Sequence, residues 1–588
     1  MASKAEAATK KKTTTTKFNA DGLRRSWIAR ALLVAFVMTA PLLVLVFAGS
    51  VGSPAVWVKT AVAGFGQGSG DDGCFQRRPA RSHDRLLGGL LADGFDEGSC
   101  HSRYESATYR RNAGRRPSPY LVAKLRRQEA LQRRCGPGTA AYSDALEQLR
   151  SGEKKPQGGG GGSPECKYLV SISYSGLGNR ILAAASAFLY AMLTGRVLLV
   201  DPSNGMADLF CEPFPGTTWL LPPASFPLSG YTDFNVSTAE SWGNMVKNNK
   251  VVFVRDDTTG GGGGDDVSAA AAAETPAFAY VHLDHDYTGD DKSFFCDEEQ
   301  RLLGRVPWLV MRTDSYVVPG LFLPAVAFAE ELGRLFPERD AVFHHLGRYL
   351  FHPANRVWGL VTRYFDAYLA PAERRVGVQV RVFGGQPDSP ELLRRITSCT
   401  QNQSGLLPAV LPDDDSPAAP GRRRKKKKKQ SIAVLVTSLK PWYYEQMKSM
   451  YWEHAAGEEA AAAAVSVHQP SHEEFQKFGA ASHEAKAWAE MYLLSLTDAL
   501  VTTGWSTFGY VAQGLAGITP WVMPKPEEAA AAADESQPLC RLDVSMEPCF
   551  HAPPYYDCRS KRWSDTGKTV PQVQRCVDVG WGWKLVRP

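Results

Sequence analysis

The sequence predicts an α/β fold made of two Rossmann-like domains that face a cleft, preceded by an N-terminal transmembrane helix and a stem. Two blocks of the chain, one starting near Lys167 and one near Arg375, alternate short apolar runs with helical stretches. This alternation is typical of parallel sheets that carry helices on both faces. With 588 residues, the chain is long enough for two domains of ordinary size and additional segments.

The transmembrane prediction rests on Ala31–Ala48, a run of 18 residues without a charge. A run of this length can cross the apolar core of a bilayer. Eight Lys and Arg residues precede it, and because positive charge stays on the cytosolic side, we expect the bulk of the chain in the lumen. A cleaved signal peptide is the alternative. The length of the run and its late start favour an uncleaved signal anchor.

The order of segments follows from changes in composition along the chain. The stem is rich in Gly, Asp and Arg and lacks periodicity, whereas the later low-complexity inserts interrupt well-patterned sequence and are predicted to be surface loops. The predicted order is a cytosolic tail (1–30), a signal anchor (31–50), a stem (51–85), an N-terminal Rossmann-like domain (86–370), a C-terminal Rossmann-like domain (371–530) and a disulfide-rich C-terminal segment (531–588).

The formal net charge of +6 does not indicate a nucleic-acid partner. Eight of the basic residues form the single run Arg422–Lys429, and eight others precede residue 31. The remainder of the chain has no clear basic excess, so we expect no nucleic-acid binding. A nuclear role for the basic run is excluded by the predicted membrane anchor.

The cysteines are typical of an oxidising compartment. Ten of the eleven lie between Cys100 and Cys576, and this even number can pair completely. The spacing of the last four does not match a zinc site, so disulfides are the better interpretation. Cys74 remains in the stem. Asn235 and Asn402 begin glycosylation sequons, which are relevant only in the lumen.

The first motif runs from Gly176 to Arg180 and reads GLGNR. It joins a predicted strand, Tyr168–Ser173, to a predicted helix, Ile181–Thr194. Glycines let the backbone approach a ligand closely, and the start of a helix favours anionic groups. The motif lacks the ending of a nucleoside-triphosphate loop and is not a full dinucleotide fingerprint. A plain tight turn therefore remains an alternative.

The second motif is the predicted strand Val376–Val382, which contains Arg381. Its valines alternate with Gly, Gln and Arg, so the two sets occupy opposite faces. A buried arginine is costly unless it is paired. Arg381 is therefore either a structural ion-pair partner or a clamp on the diphosphate of a sugar nucleotide, whose oxygens match the fork of a guanidinium.

The third motif follows the predicted strand Ala499–Thr503 and leads into a helix. Ser506 and Thr507 are expected at the start of that helix, where they can cap it and bind phosphate. Simple capping is the alternative. Arg381 is also expected at a strand end in the same domain. The two motifs together therefore favour a diphosphate site more strongly than either motif does alone.

These motifs together resemble the plant cell-wall fucosyltransferases, whose best-known members act on xyloglucan. The stretches that carry the resemblance include VQVRVF, TTGWSTFGYVAQGLAG, YSGLGNRILAAASAFLYAML and FHHLGRYLFHPANRVWGLV. The similarity extends over roughly residues 85–588 and is interrupted by the low-complexity inserts. It implies a GT-B-like fold, GDP-fucose as donor, inversion at the fucose anomeric carbon and residence in the Golgi membrane with a luminal catalytic domain.

The resemblance also implies roles for individual residues. Arg381 would contact the donor diphosphate, while Asn179 and Arg180 would face the cleft from the N-terminal domain. Ser506, Thr507 and Phe508 would line the GDP pocket of the C-terminal domain. The acceptor would be the 2-hydroxyl of a galactose on cell-wall xyloglucan. The alternatives are arabinogalactan proteins as acceptors, or a non-catalytic carbohydrate-binding or scaffold protein of the Golgi.

The chemistry of transfer predicts no metal cofactor, because one fixed guanidinium can stabilise the departing phosphate. We expect no DxD pair placed in the manner of metal-dependent transferases, since Asp201, after the predicted strand Val197–Val200, lacks a partner acid. Asp314 is the first candidate for the general base and Asp286 the second. The expected partners are the donor, the galactosylated polysaccharide, the membrane, and either a second copy of the chain or a Golgi enzyme complex.

The aromatic residues near the C-terminus have two interpretations. Stacking on glucan rings is one, and core packing is the other; the four neighbouring cysteines favour core packing. These residues are Tyr555, Tyr556, Trp563, Trp581 and Trp583.

Overall fold

The protein is described here by a computed structural model, which covers residues 84–110, 113–152, 166–248, 250, 276–324, 327–382, 386–410, 430–454, 463–524 and 538–587. The predicted signal anchor, almost all of the stem, Cys74 and the basic run Arg422–Lys429 lie outside these residues. The described residues belong to one compact unit, Arg81–Pro588. The domain boundaries given above stay predictions.

The first sheet has four parallel strands in the order β2-β1-β4-β3. Three helices precede it: α1 (His101–Tyr109), α2 (Pro119–Cys135) and α3 (Ala140–Ser151). The strands and the helix that joins the first two are β1 (Tyr168–Ile172), α4 (Leu177–Thr194), β2 (Val197–Val200), β3 (Phe278–His282) and β4 (Trp308–Arg312).

Helix α4 is apolar around almost its whole circumference because it is buried on all sides. Its 18 residues are long and apolar enough to cross a membrane, but 83% of that stretch is buried inside the protein, as expected for a core helix. The other helices of this half are α5 (Met206–Leu209), α6 (Trp242–Lys247), α7 (Asp297–Leu303), α8 (Val318–Leu321), α9 (Ala329–Leu335), α10 (Val342–Leu350) and α11 (Asn355–Tyr364).

The second sheet has six strands in the order β10-β9-β8-β5-β6-β7, all parallel except β10. Its elements are β5 (Arg374–Gln379), α12 (Pro390–Ser398), β6 (Gln430–Thr437), α13 (Trp442–Glu453), β7 (Ala463–His468), α14 (Ala481–Leu494), β8 (Ala499–Thr503), α15 (Thr507–Ala516), β9 (Trp521–Met523) and β10 (Arg541–Leu542). Two short hairpins follow, β11 (Tyr556–Asp557) with β12 (Arg562–Trp563) and β13 (Val573–Arg575) with β14 (Trp583–Leu585).

The predicted α/β fold with two largely parallel sheets is confirmed, and two strands, β1 and β5, end earlier than predicted. Strand β5 ends at Gln379, so Arg381 lies just beyond the ladder. The reason is a change of hydrogen-bond partner, because the backbone N–H of Arg381 donates to the Thr503 hydroxyl (2.8 Å). Arg381 is thereby placed at the carboxyl edge of the sheet, where parallel sheets bind ligands.

One continuous hydrophobic core connects the two sheets. It contains Leu435 of β6 and Leu500 of β8 together with Leu169 of β1. Helix α14 lies within this core: its Trp488 and Tyr492 make ring contacts with each other, at 5.6 Å between centroids. Trp488 also contacts Phe210, and Tyr492 contacts Trp358, both of which precede β5 in the sequence. The position of one sheet relative to the other is therefore set by close packing.

The ten cysteines between Cys100 and Cys576 are all paired, as predicted. Two of the disulfides connect the C-terminal segment to distant parts of the chain, with sequence separations of 262 and 141 residues. Each removes conformational freedom from the unfolded chain and so stabilises the fold. The pairs are Cys100–Cys211, Cys135–Cys166, Cys296–Cys558, Cys399–Cys540 and Cys549–Cys576.

A buried carboxyl group binds the C-terminal segment to the part of the chain that precedes β5. The Glu547 side chain accepts hydrogen bonds from the backbone N–H of Phe343 and from the Tyr316 hydroxyl, both at 2.8 Å. Burial raises the pKa of Glu547 to about 8. In the folded protein the Glu547 carboxyl therefore keeps its proton up to about pH 8. In the unfolded chain it loses that proton above the ordinary pKa of a glutamate.

We predict that Glu547→Gln makes stability less sensitive to pH. Because the folded pKa is raised, the stability contributed by the bound proton is complete below the unfolded pKa and is lost as pH rises towards 8. The slope is up to about 1.4 kcal/mol per pH unit. Glutamine cannot lose that proton, so the melting temperature of the variant should rise relative to wild type between pH 5 and pH 8. A difference that is constant with pH would contradict the assignment.

Candidate functional site

A cavity of about 300 Å³ lies at the carboxyl ends of the strands of the second sheet. Its walls come from the ends of β5 and β6, the β8–α15 turn, the β1–α4 turn of the first sheet, and His551. The rest of the wall is formed by the loop before α14 and by that helix, between Ser471 and Met491. The location agrees with the general rule that ligands bind at the carboxyl edge of parallel strands.

The β8–α15 turn presents the start of a helix to the cavity. Ser506 is the N-cap residue, and its hydroxyl accepts a hydrogen bond from the N–H of Gly509. Trp505 has a left-handed backbone (φ 59°) and donates its N–H to the Asp578 carboxylate (3.0 Å). Together with Ser506, the lining residues Thr507 and Phe508 form the first turn at the wall. The arrangement leaves the positive end of the helix directed at the cavity.

This helix start is in direct contact with the β1–α4 turn of the other sheet. The Thr507 hydroxyl donates to the side-chain oxygen of Asn179 (2.9 Å). A Cβ atom on Gly178 would lie 2.7 Å from the Thr507 hydroxyl and 2.8 Å from its carbonyl carbon. Gly178 is therefore required by the close approach of the two turns, and both the glycine and the asparagine of the GLGNR motif have a structural explanation.

Arg381 lies in the wall of the same cavity, and its backbone N–H bonds to Thr503, just before the β8–α15 turn. Within β5 the predicted alternation holds, because Val376 and Val378 pack in a core cluster and Gln379 lines the cavity. Beyond the end of the strand, Val380, Arg381 and Val382 all line the cavity. Burial lowers the pKa of the Arg381 guanidinium from its ordinary value. An arginine retains its charge under these conditions. The cavity therefore combines a fixed positive charge with a helix N-terminus.

Arg180 does not line the cavity. Its guanidinium is buried and forms an ion pair with Glu484 of α14 (2.6 Å), and it also donates to the backbone oxygens of Ser175 (3.1 Å) and Asn204. These bonds hold the β1–α4 turn against α14. The predicted donor-binding role of Arg180 stays a prediction, and the contacts described here position the turn.

Of the two candidate bases, Asp314 is bonded to a residue of the cavity wall. The side-chain amide of Asn179 donates to the backbone oxygen of Asp314 (2.7 Å). Burial, reinforced by the neighbouring Asp284, raises the pKa of the Asp314 carboxyl. Asp286 accepts a hydrogen bond from the ring of His282, which outweighs partial burial and lowers its pKa. Neither carboxylate is a lining residue of the cavity.

Several polar lining residues were missed by the sequence analysis, chiefly in the loop 471–480 and helix α14. Burial raises the pKa of Glu490 to about 8, and its carboxyl accepts from the Ser471 hydroxyl. The pKa of Glu473 is lowered to about 2, chiefly by a hydrogen bond from Lys486. A usable signal was present in the sequence, namely charged residues at positions 484, 486 and 490 of an otherwise apolar helix.

The two sequon asparagines are at the surface. Asn235 and Asn402 are both exposed, and the side-chain oxygen of Asn235 accepts from the N–H of Ser237 (2.9 Å). An exposed asparagine in a turn is accessible to modification. Glycosylation at these positions stays a prediction.

The sequence of the chain matches that of a known protein family. A family model described as xyloglucan fucosyltransferase matches residues 62–559. A galactoside 2-alpha-L-fucosyltransferase of Pisum sativum is 45% identical over 506 residues, which is 86% of this chain and 82% of the pea protein. A protein of the same description from Arabidopsis thaliana is 49% identical over 518 residues, covering 88% of this chain and 86% of its own length.

A solved structure supports the fold independently. It is a mutant of Arabidopsis thaliana FUT1 in complex with GDP, with 48% sequence identity and a TM-score of 0.72. The match covers 86% of this chain and 100% of that chain. At this level of similarity the GT-B-like α/β fold is confirmed.

We predict that Gly178→Ala separates the two turns and damages the cavity without unfolding the protein. The new methyl group would be under 3 Å from two atoms of Thr507, one of them in the backbone, and overpacking of this kind costs about 1–3 kcal/mol. The melting temperature should fall, and the affinity for GDP, measured by calorimetry, should fall with it. Gly289→Ala is the control for general glycine effects, because its Cβ would meet no atom within 4 Å and its φ is not positive. Unchanged GDP affinity in the Gly178 variant would contradict the prediction.

Proposed function

Because the chain belongs to the xyloglucan fucosyltransferase family, we propose that it transfers L-fucose from GDP-fucose to the 2-hydroxyl of a galactose on xyloglucan, with inversion at the fucose anomeric carbon. The observation that carries the proposal is the cavity in which Arg381 and the N-terminus of α15 face the same space. The similar FUT1 structure was solved with GDP, which supports a guanine nucleotide as the donor half.

The donor diphosphate is proposed to lie between Arg381 and the first turn of α15. A guanidinium binds two phosphate oxygens at once, and the N–H groups of a helix start favour a negative charge. Ser506, Thr507 and Phe508 form that helix start at the wall. Asn179 approaches from the other sheet and is held by Thr507, so the fucose end of the donor would meet the acceptor between the two sheets.

The transfer requires charge stabilisation on one side and a proton acceptor on the other. The bond from the fucose carbon to the β-phosphate breaks, its electrons remain on GDP, and Arg381 stabilises the negative charge that develops there. The galactose 2-oxygen bonds to the same carbon from the opposite face and releases its proton to a base. Asp314 is preferred to Asp286 for this role, because burial raises its pKa and its backbone is bound to Asn179.

We propose that no metal ion takes part. Arg381 and the helix N-terminus supply the positive charge that a metal would otherwise provide. His282, Asp284 and Asp286 lie close enough to one another to hold an ion, but none of the three lines the cavity. Contrary to the expectation from the sequence, Asp284 and Asp286 form a DxD pair shortly after β3. One oxygen of Asp284 is paired with Arg312 (2.8 Å), and His282 bonds to Asp286 within the group.

We propose residence in the Golgi membrane, with the signal anchor 31–50 spanning the bilayer and the catalytic part in the lumen. Five disulfides are typical of an oxidising compartment. The exposed sequon asparagines are consistent with that location. A second copy of the chain or another Golgi enzyme remains a proposed partner.

The direct test incubates the full chain, solubilised from membranes, with GDP-fucose, EDTA and a defined acceptor. Galactosylated xyloglucan, arabinogalactan protein and xyloglucan stripped of galactose are compared, and fucose linkage is determined by mass spectrometry. We expect transfer to the first acceptor alone. Transfer to arabinogalactan protein alone would show that the acceptor is wrong, and GDP binding with no transfer to either would favour a non-catalytic protein. Inhibition by EDTA would contradict the metal-free proposal.

We predict that Arg381→Ala lowers kcat about 100- to 1,000-fold, which is the usual loss when one fixed donor to a developing negative charge is removed. Arg381→Lys should recover only part of the rate, because an ammonium group cannot bind two phosphate oxygens in the same plane. Arg394→Ala is the matched control, because this arginine is 62% exposed on α12 and pairs with Glu391 outside the cavity. An Arg381→Ala enzyme with an unchanged rate would disprove the clamp.

A further inference from the structure

Five aromatic side chains are linked from the cavity to solvent by ring contacts and by one hydrogen bond to a backbone oxygen. We call His551, Trp505, Trp581, Tyr555 and Trp563 the aromatic row. His551 and Trp505 line the cavity and stack with centroids 5.9 Å apart, and Trp505 meets Trp581 edge to face at 5.3 Å. The Tyr555 hydroxyl donates to the backbone oxygen of Trp581, and the Tyr555 ring stacks on Trp563 at 6.0 Å.

The outer end of the row is exposed, which corrects the expectation that these aromatic residues are core. Trp583 is buried as expected, but Trp581 is 47% and Trp563 is 74% exposed. Exposed apolar surface beside a cavity can mark a binding surface, and both exposed rings are linked to the cavity wall, Trp581 directly through Trp505 and Trp563 through Tyr555. The expectation failed because the nearby disulfides brace the backbone of this segment, and they do not cover its outer rings.

The row is held rigidly although it is exposed. Trp505 is fixed by the Asp578 carboxylate, and Arg575 lies over the Tyr555 ring and pairs with Asp565. Of the six non-glycine residues with positive φ in the described part of the chain, two, Trp505 and Tyr555, belong to the row. Backbone strain of this kind persists where the surroundings fix a functional conformation.

The chemistry of the row fits a β-linked glucan chain better than a protein partner. Pyranose rings present flat C–H faces that pack on aromatic faces, and their hydroxyls remain in water at the edges. A file of single rings suits a narrow polymer, whereas protein interfaces need a broad buried patch. The residues beside Trp563 are charged and exposed, namely Lys561 and Arg562, which also argues against a broad apolar interface.

We propose that the aromatic row is the docking platform for the glucan backbone of the acceptor, leading the polymer from solvent to the transfer cavity. The inference rests on the proposed function, because it assigns the outer part of the same site. A galactose side branch would enter the cavity at His551 and Trp505, while the backbone stacks on Trp581 and Trp563. The row would thus select polymers over short galactosides.

The test measures transfer and binding separately for Trp563→Ala and Trp581→Ala. Loss of one stacking surface should raise KM for polymeric xyloglucan about two- to tenfold per variant. KM for a short galactoside should change less, and Trp563→Phe should restore most of the loss. Trp452→Ala is the matched control, because Trp452 is 82% exposed on α13 and lies outside the row.

A second measurement needs neither donor nor galactose. Electrophoresis of the full chain through gels that contain unsubstituted soluble β-1,4-glucan should retard wild type and the Trp452 variant, and should retard the Trp563 and Trp581 variants less. Equal retardation of all four proteins, or equal KM values for polymer, would overturn the platform. A wild-type enzyme that is retarded by the glucan but transfers no fucose would instead overturn the proposed function and leave the platform supported.

Discussion

The contact between the start of α15 and the β1–α4 turn is the constraint on which the site depends. Thr507 bonds to Asn179 across this contact, and Gly178 permits it because any larger residue would collide with Thr507. A helix start can bind an anion only where its N–H groups are accessible. The first turn of α15 lines the cavity and also contacts the β1–α4 turn of the other sheet. The geometry of the cavity and the position of one sheet relative to the other are therefore set by the same contact.

The ion pair between Arg180 and Glu484 acts on the same contact from the other side. Both side chains are buried, and each would be costly alone. The pair is retained because the backbone oxygens of Ser175 and Asn204 satisfy the remaining guanidinium donors. A buried pair of this kind specifies one arrangement of the turn and α14, and the packing of Trp488 and its neighbours excludes water from that arrangement.

The sequence was sufficient for the elements whose signal is local. Valines alternating with polar residues predicted the strand before Arg381, because side chains alternate strictly along a strand. A small polar residue at 506 predicted the start of a helix for an equally local reason. The early end of β5 was missed, since it depends on a hydroxyl from Thr503, 122 residues away in the sequence.

Features that depend on distant partners could not be predicted. The even number of cysteines predicted complete pairing. Which cysteine bonds to which is set by the fold and could not be predicted. Arg180 belongs to the glycine motif, yet its ion-pair partner is 304 residues away, so its part in holding the turn against α14 could not be predicted. Trp581 and Trp583 show the same limit at the surface. They are two positions apart in the sequence, and only the structure shows that Trp583 is buried whereas Trp581 is half exposed and contacts Trp505 of the cavity wall. Long-range packing decides such cases, because the exposure of a ring depends on elements that are distant in the sequence.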